Sequence, residues 1–116
     1  MLKDDCLFCK IIKRQIPSKT VFEDDEVMAF EDIKPQAPVH IIIIPKAHIE
    51  TLASAAEGDT VMVGRLVMTA KEIAKSKGID STGYRVVINC NKDAGQEVFH
   101  IHAHLLGGRK FKWPPG

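Results

Sequence analysis

The chain has 116 residues, of which 45% are hydrophobic and 27% are charged, and this composition excludes disordered, collagen-like and coiled-coil proteins. Its 16 basic and 15 acidic residues leave a formal charge of +1, so no basic excess favours binding to nucleic acid or to a membrane. A single domain over residues 1–116 buries only about two-thirds of its unfolded surface, so a dimer or a structural metal would add stability.

The first half of the chain is predicted to form a short helix, a hairpin and a buried strand. Residues 7–13 have helical character. Thr20–Glu23 and Val27–Glu31 have the pattern of short strands on either side of a tight turn. Residues 32–38 contain two prolines and therefore form a loop, and the β-branched run at 40–44 indicates a buried strand.

A long helix is predicted in the middle of the chain, at residues 60–77. Its apolar residues recur at helical spacing, at Val63, Val67, Ala70, Ile73 and Ala74. Asp59 is placed to cap the amino end of this helix, and Gly78 is placed to form a left-handed cap at its carboxyl end.

The last third of the chain returns to strand character. Residues 84–89 and 98–106 are predicted strands, and residues 92–96 form a loop between them. Together the elements indicate an α+β domain with an antiparallel sheet of about five strands, one long helix and one short helix.

The cysteines and the amino-terminal sequence indicate the cellular compartment. Three cysteines, an odd number, argue against a disulfide framework. The first residues are charged and lack the apolar core of a signal peptide, and no apolar run approaches the roughly 20 residues of a membrane span. We therefore expect a cytoplasmic or nuclear protein with reduced thiols.

Three of the five histidines, His100, His102 and His104, alternate with apolar residues. Alternate side chains of a strand share one face, so the three imidazoles should project together while the intervening apolar residues face the core. One interpretation is a polar strand face without a function. Imidazoles at this spacing also suit a metal such as zinc, and a neutral imidazole suits nucleophilic attack on phosphorus.

The loop before these histidines favours attack on phosphorus. Asn89, Gly95 and Gln96 can aim an amide and backbone N–H groups at phosphate oxygens. No acidic residue alternates with the histidines, as a mononuclear metal hydrolase would often require. The sequence therefore indicates chemistry at phosphorus, with His102 as the nucleophile.

Residues 96–106 (QEVFHIHAHLL) place the histidines in the pattern His-φ-His-φ-His-φ-φ, where φ is apolar. The segments DIKPQAPVH, IIPKAHI and GGR accompany this pattern, and the chain ends in WPPG. In this combination the chain resembles the Hint branch of the histidine triad (HIT) family over nearly its whole length. The resemblance implies a HIT-like fold that dimerises into a larger continuous sheet.

The resemblance implies a hydrolase that cleaves the P–N bond of purine nucleoside 5′-phosphoramidates and requires no cofactor for catalysis. His102 would form a covalent nucleotidyl-histidine intermediate, which water then hydrolyses. The main-chain carbonyl of His100 would hold the Nδ1 proton of His102. His104 would contact phosphate oxygens, and His40 would orient the nucleophile or handle protons.

The resemblance also implies the residues that bind a purine nucleotide such as AMP or GMP. Asp32 would bind both ribose hydroxyls. The phosphate loop would comprise Asn89, Gly95, Gln96, Glu97 and Val98. The purine pocket would comprise Leu7, Phe8, Phe30 and Ile33. Several eukaryotic Hint proteins carry serine at the position of Glu97, so this carboxylate bears on the choice of leaving group.

The pair Cys6 and Cys9 is open to three interpretations: an inert pair on a helix, half of a zinc site, or a redox couple. Some HIT proteins combine such a pair with two histidines, which correspond here to His48 and His100. The resemblance thus implies a structural zinc held by two thiolates and two imidazoles, with no open coordination position.

Two alternative functions remain open at this point. One is hydrolysis of dinucleoside polyphosphates, and the other is a nucleotide-binding dimeric scaffold in which hydrolysis is vestigial. A homodimer is also expected because the long helix has an apolar surface broader than one side can bury, formed by Val61, Met62, Val63, Leu66 and Val67.

Overall fold

The computed structural model describes residues 2–116 and, within them, has five strands and two α-helices. The strands are β1 (Thr20–Glu23), β2 (Val27–Glu31), β3 (Val39–Pro45), β4 (Tyr84–Val87) and β5 (Ala103–Gly107). The helices are α1 (Leu7–Ile12) and α2 (Thr60–Ser76), and short 3-10 turns occur at Glu57–Asp59 and Lys92–Ala94. The strands form one antiparallel sheet in the order β1-β2-β3-β5-β4, which confirms the predicted α+β class.

The last strand differs from its predicted range. It begins at Ala103 rather than at residue 98, so His100 and His102 precede the strand and only His104 lies within it. The chain before β5 is held to a neighbouring loop, because the Ile101 N–H donates to the carbonyl of Ile49 at 2.6 Å. The intervening apolar residues are buried as predicted, namely Ile101, Ala103 and Leu105.

The ends of α2 show one predicted cap and one unpredicted arrangement. Gly78 has φ +74°, and the following Ile79 N–H donates to the Ala74 carbonyl at 3.0 Å, as expected for a left-handed carboxyl cap. At the other end Asp59 does not cap the helix through its side chain. Its carboxylate instead accepts a hydrogen bond from the Ala56 N–H at 2.9 Å, which stabilises the preceding 3-10 turn.

The inward face of α2 is also rotated relative to the prediction. Leu66, which belongs to the broad apolar surface predicted for a dimer, is fully buried in the core. Val67 was expected on the periodic face, but it is 43% exposed. The buried face is formed by Leu66, Thr69, Ala70, Ile73 and Ala74. The pattern of apolar residues was ambiguous because both faces of the first turns contain valine or leucine.

The sheet separates two apolar clusters, and this separation positions the site. In β3, Ile41 and Ile43 pack toward α2, while Ile42 and Ile44 pack toward α1. His104 pairs with Ile42 in the β3–β5 register. Side chains of even number in β3 and β5 therefore share the α1 face of the sheet. No helix among residues 2–116 is long and apolar enough to cross a bilayer.

Candidate active site

All five histidines of the chain lie together, in two groups that meet at the start of β5. The rings of His40 and His104 are 5.1 Å apart, and those of His102 and His104 are 4.9 Å apart. The ring of His100 lies instead beside His48, at 4.9 Å. The three imidazoles of the triad nevertheless lie on the α1 side of the sheet, since Phe8 packs against both His100 and His102, and His102 lies next to His104.

His102 is held with one ring nitrogen ready to react. Its Nδ1 lies 2.8 Å from the main-chain carbonyl of His100, and since a carbonyl only accepts, Nδ1 must donate the proton. The lone pair of the neutral ring is therefore on Nε2. The ring is 6% exposed, and the ring of Phe8 packs against it edge-on at 5.0 Å. Burial lowers the pKa of His102, which favours the neutral, nucleophilic form.

His40 and His104 form a hydrogen-bonded pair. The Gln36 N–H donates to Nδ1 of His40 at 3.0 Å. Nε2 of His40 lies 2.9 Å from Nδ1 of His104 and 3.4 Å from the Asp32 carboxylate. Burial lowers the pKa of both imidazoles, and that of His104 falls to about 4. Both rings are therefore neutral at neutral pH.

Cys6, Cys9, His48 and His100 are arranged as a metal site would require. Zinc–sulfur bonds of about 2.3 Å and zinc–nitrogen bonds of about 2.0–2.1 Å place neighbouring donor atoms of a tetrahedral site about 3.3–3.8 Å apart. Nδ1 of His100 lies 3.4 Å from Sγ of Cys6 and 3.5 Å from Sγ of Cys9. Nδ1 of His48 lies 3.3 Å from Sγ of Cys9 and 3.1 Å from Nδ1 of His100.

The hydrogen bonds around this cluster also fit a metal. Nε2 of His100 donates to the carbonyl of Pro45 at 2.8 Å, so the lone pair of its neutral ring is on Nδ1 and points at the sulfurs. By contrast, Nε2 of His48 is buried and has no hydrogen-bond partner among residues 2–116, so no outer hydrogen bond fixes the lone pair of this ring on Nδ1. Burial raises the pKa of the Cys9 thiol, and a bound dication would offset this by stabilising the thiolate.

A second group, Asp32, His40 and His104, has metal-ligand side chains at similar spacing. Here the main chain donates a hydrogen bond to the histidine, whereas at His100 the main chain accepts one. Because the Gln36 N–H donates to Nδ1 of His40, the proton of the neutral ring is on Nε2, which faces the other two side chains. A protonated nitrogen cannot ligate a metal, so this group is a hydrogen-bonded network.

The predicted phosphate loop is ordered by one of its own residues. The Gln96 amide is one of the groups of this loop that could face phosphate, but its side chain is 6% exposed and bonds to the main chain. Its Nε2 donates to the carbonyls of Glu50 and Val98, and its Oε1 accepts from the Asn91 N–H. Gln96 therefore shapes the loop and has no free donor for a ligand.

The other predicted loop residues are more accessible. Asn89 and Val98 are half-buried, and Gly95 has φ +84°, which favours glycine. Glu97 is exposed and lines an open groove of about 410 Å³ that also borders Cys6 and His48. A leaving group in this groove would meet the Glu97 carboxylate.

The predicted purine pocket is divided between core and surface. Phe8 and Phe30 are each 4% exposed and pack edge to face at 5.6 Å. Leu7 is 44% exposed and Ile33 is 93% exposed, so these two do not form a closed sandwich with the phenylalanines. Ile33 and Asp32 line an open groove of about 490 Å³, which is wide enough to admit a base and ribose.

Sequence reasoning missed two residues that act through their main chain. The Gln36 N–H determines the proton position on His40, and the Pro45 carbonyl determines it on His100. Side-chain chemistry gives no signal for either contact. The nearest signal was their place in the segments DIKPQAPVH and IIPKAHI.

Comparison with known proteins places this site in a family. The HIT domain matches residues 13–111. The chain belongs to the HIT family. It is 51% identical to a 14 kDa zinc-binding protein of Brassica juncea, with 97% of this chain and all of that protein aligned, and 48% identical to a HIT-like protein of Synechocystis, with 99% of this chain and all of that protein aligned.

A solved structure supports the same assignment. The crystal structure of a HIT family hydrolase from Legionella pneumophila superposes with a TM-score of 0.94 at 50% sequence identity, covering 97% of this chain and all of that one. The fold is therefore the HIT fold, and the structural likeness is to a hydrolase.

The low pKa of His104 predicts a stability that depends on pH. The unfolded imidazole titrates near 6.5 and the folded one near 4, so stability is fully present above about pH 6.5 and is lost as the pH falls toward 4. Between pH 7.5 and pH 5, wild type should lose about 1 kcal/mol or more beyond the loss shown by His104→Gln. Thermal unfolding of both proteins measures this difference, and equal losses would contradict the buried neutral state of His104.

Proposed function

We propose that this HIT protein hydrolyses the P–N bond of purine nucleoside 5′-phosphoramidates through a nucleotidyl intermediate on His102. The observation that supports this most strongly is the 2.8 Å hydrogen bond from Nδ1 of His102 to the His100 carbonyl, which leaves Nε2 as the free nucleophile. The likeness to a HIT family hydrolase agrees with a hydrolytic reaction.

The reaction would proceed in two displacements. In the first, the Nε2 lone pair of His102 forms a bond to the α-phosphorus, the P–N bond to the amine breaks, and the amine leaves with a proton taken up from solvent. In the second, water forms a bond to phosphorus, the P–Nε2 bond breaks, and the nucleoside monophosphate is released with a proton lost to solvent. Burial favours the first step by keeping the imidazole neutral between turnovers.

The neighbouring residues would bind and orient the nucleotide. Asp32 borders the groove proposed for base and ribose, and its carboxylate has an oxygen for each ribose hydroxyl. His104 is half-buried next to the nucleophile and would donate to a phosphate oxygen. Glu97 lies in the other groove and would contact the leaving amine, which favours amines that carry a positive charge.

Replacing the nucleophile provides the direct test. His102→Ala should lower the rate of amine release from an adenosine phosphoramidate by about 10³-fold or more, because no other group can form the covalent intermediate. AMP binding should remain measurable by calorimetry. In wild type, rapid quenching and mass spectrometry should detect one nucleotidyl group on the peptide that contains His102.

The other outcomes of these assays distinguish between the alternative functions. Wild-type turnover by His102→Ala would reject the nucleophile. Faster cleavage of a dinucleoside polyphosphate than of the phosphoramidate would assign the other hydrolytic reaction predicted from the sequence. AMP binding by wild type with no turnover of either substrate would indicate a nucleotide-binding scaffold.

We also propose that Cys6, Cys9, His48 and His100 hold a structural zinc. The donor distances and the inward lone pair on Nδ1 of His100 support this, as does the name of the Brassica juncea relative. When bound, zinc would crosslink α1, the loop after β3 and the chain before β5. It would leave no coordination position open for substrate.

Metal analysis tests this proposal. Protein purified without chelator should contain about one equivalent of zinc, and Cys9→Ser should contain far less. Cys90→Ser is the matched control, because Cys90 lies outside the cluster and should leave the zinc content unchanged. Wild type with little zinc, or Cys9→Ser with a full equivalent, would contradict the site.

We further propose a homodimer in which β4 and the exposed side of α2 form the interface. HIT family proteins often form dimers. Within residues 2–116, β4 pairs only with β5, so its other edge is free to extend the sheet. The exposed apolar residues on α2 are Val61, Val67 and Met68, at 77%, 43% and 54% exposure.

Solution mass tests the dimer. One chain has a mass of 12.9 kDa, and light scattering at micromolar concentration should give twice this value. Val61→Asp should shift the mass toward that of one chain, because it places a charge in an apolar interface. Lys19→Asp, a charge change at an exposed site before β1, at the opposite edge of the sheet from β4, is the control. A wild-type mass near that of one chain would contradict the proposal.

A further inference from the structure

The Gly-Gly-Arg segment at the end of β5 packs on the loop that connects β2 to β3. Gly108 has φ +88°, and a Cβ at this position would lie 3.0 Å from Cβ of Pro38, so the two segments are in close contact. Nε of Arg109 donates to the Gln36 carbonyl at 2.9 Å. The end of the last strand therefore fixes the position of Gln36.

Gln36 in turn determines where the protons lie on two imidazoles. Its N–H donates to Nδ1 of His40, so the proton of the neutral His40 ring is on Nε2. That N–H points at Nδ1 of His104, at 2.9 Å, which must then be the acceptor. The proton of neutral His104 is consequently on Nε2. The Gln36 main chain therefore donates to His40, and His40 in turn donates to His104.

We propose that Arg109 is a positioning residue for catalysis: by holding Gln36, it fixes His40 and His104 as Nε2–H tautomers and so keeps His104 a hydrogen-bond donor to the substrate phosphate. The last step rests on the proposed function, but the tautomers do not. His102 has the opposite tautomer, with its proton on Nδ1. His104 thus acts as a hydrogen-bond donor through its Nε2, while the adjacent His102 acts as a nucleophile through its Nε2.

Arg109 also contacts the carboxyl-terminal segment, so the test of its proposed role needs a control variant that loses a contact with the same segment. Its guanidinium lies 4.2 Å from the centre of the Phe111 ring. Arg85 of β4 lies over the same ring at 5.1 Å and also donates to the Lys112 carbonyl. Arg85 therefore shares the tail contact but does not bond to Gln36, which makes Arg85→Met the matched control.

Nitrogen NMR of the imidazoles tests the tautomers without substrate. Two-bond ¹H–¹⁵N spectra of the full-length protein at neutral pH distinguish a protonated ring nitrogen from a bare one. Wild type should show His40 and His104 protonated on Nε2 and His102 protonated on Nδ1. A wild-type His40 protonated on Nδ1 would overturn the proposal, whether or not the protein hydrolyses phosphoramidates.

The variants test the role of the guanidinium. Arg109→Met should lose the single Nε2–H state of His40 and lower kcat for phosphoramidate by about 5- to 10-fold, less than the 10²–10³-fold typical for loss of a direct donor, with KM changed less than kcat. Arg109→Lys keeps a donor for the Gln36 carbonyl and should recover most of both effects. Arg85→Met should retain wild-type tautomers and, at a light-scattering mass equal to that of wild type, a kcat within about 2-fold of wild type.

Two results with the variants would overturn the proposal. Arg109→Met could keep the wild-type tautomers, in which case the guanidinium does not position His40. Alternatively, Arg85→Met could lower kcat as much as Arg109→Met, in which case the effect belongs to the tail. Thermal unfolding of each variant shows that the measured protein is folded, and absence of turnover in wild type would reject the proposed function while the tautomer spectra still decide this inference.

Discussion

The hydrogen bond from Nδ1 of His102 to the His100 carbonyl is the contact on which the rest of the site depends. It decides which nitrogen of the buried imidazole can react. The carbonyl is itself fixed, because the His100 side chain is bound on both sides, by the Pro45 carbonyl at Nε2 and by the cysteine sulfurs at Nδ1. His100 thus joins the nucleophile His102 to the cluster of cysteines and histidines. A change in the position of either group would therefore move the other.

The two groups of histidines differ in the direction of a single main-chain hydrogen bond. His100 donates its outer N–H to a carbonyl, so its inner nitrogen has a lone pair and can bind a cation. His40 accepts from a main-chain N–H, so its inner nitrogen has a proton and can only donate. Side chains of the same type, at similar spacing, are thereby suited to a metal site in one place and to a proton-bearing network in the other.

Much of this arrangement was predictable from the sequence. The strand pattern, the Gly78 cap and the family pattern around His102 predicted the fold and the residues that meet at the site. The structure differs from the prediction at two places where contacts between residues distant in sequence determine the conformation. The Ile101 N–H donates to the carbonyl of Ile49 and not to β3, and β5 begins only at Ala103. The Gln96 amide forms its hydrogen bonds with the surrounding main chain. Neither contact leaves a periodic or chemical signal in the sequence.

A crystal structure of the protein soaked with AMP tests the central claim most directly. We expect the phosphorus to lie about 3–3.5 Å from Nε2 of His102 and in line for attack, with Nδ1 still bonded to the His100 carbonyl. A phosphate bound elsewhere, a metal on His102, or a ring turned so that Nε2 faces the hydrocarbon of Phe8 would contradict it.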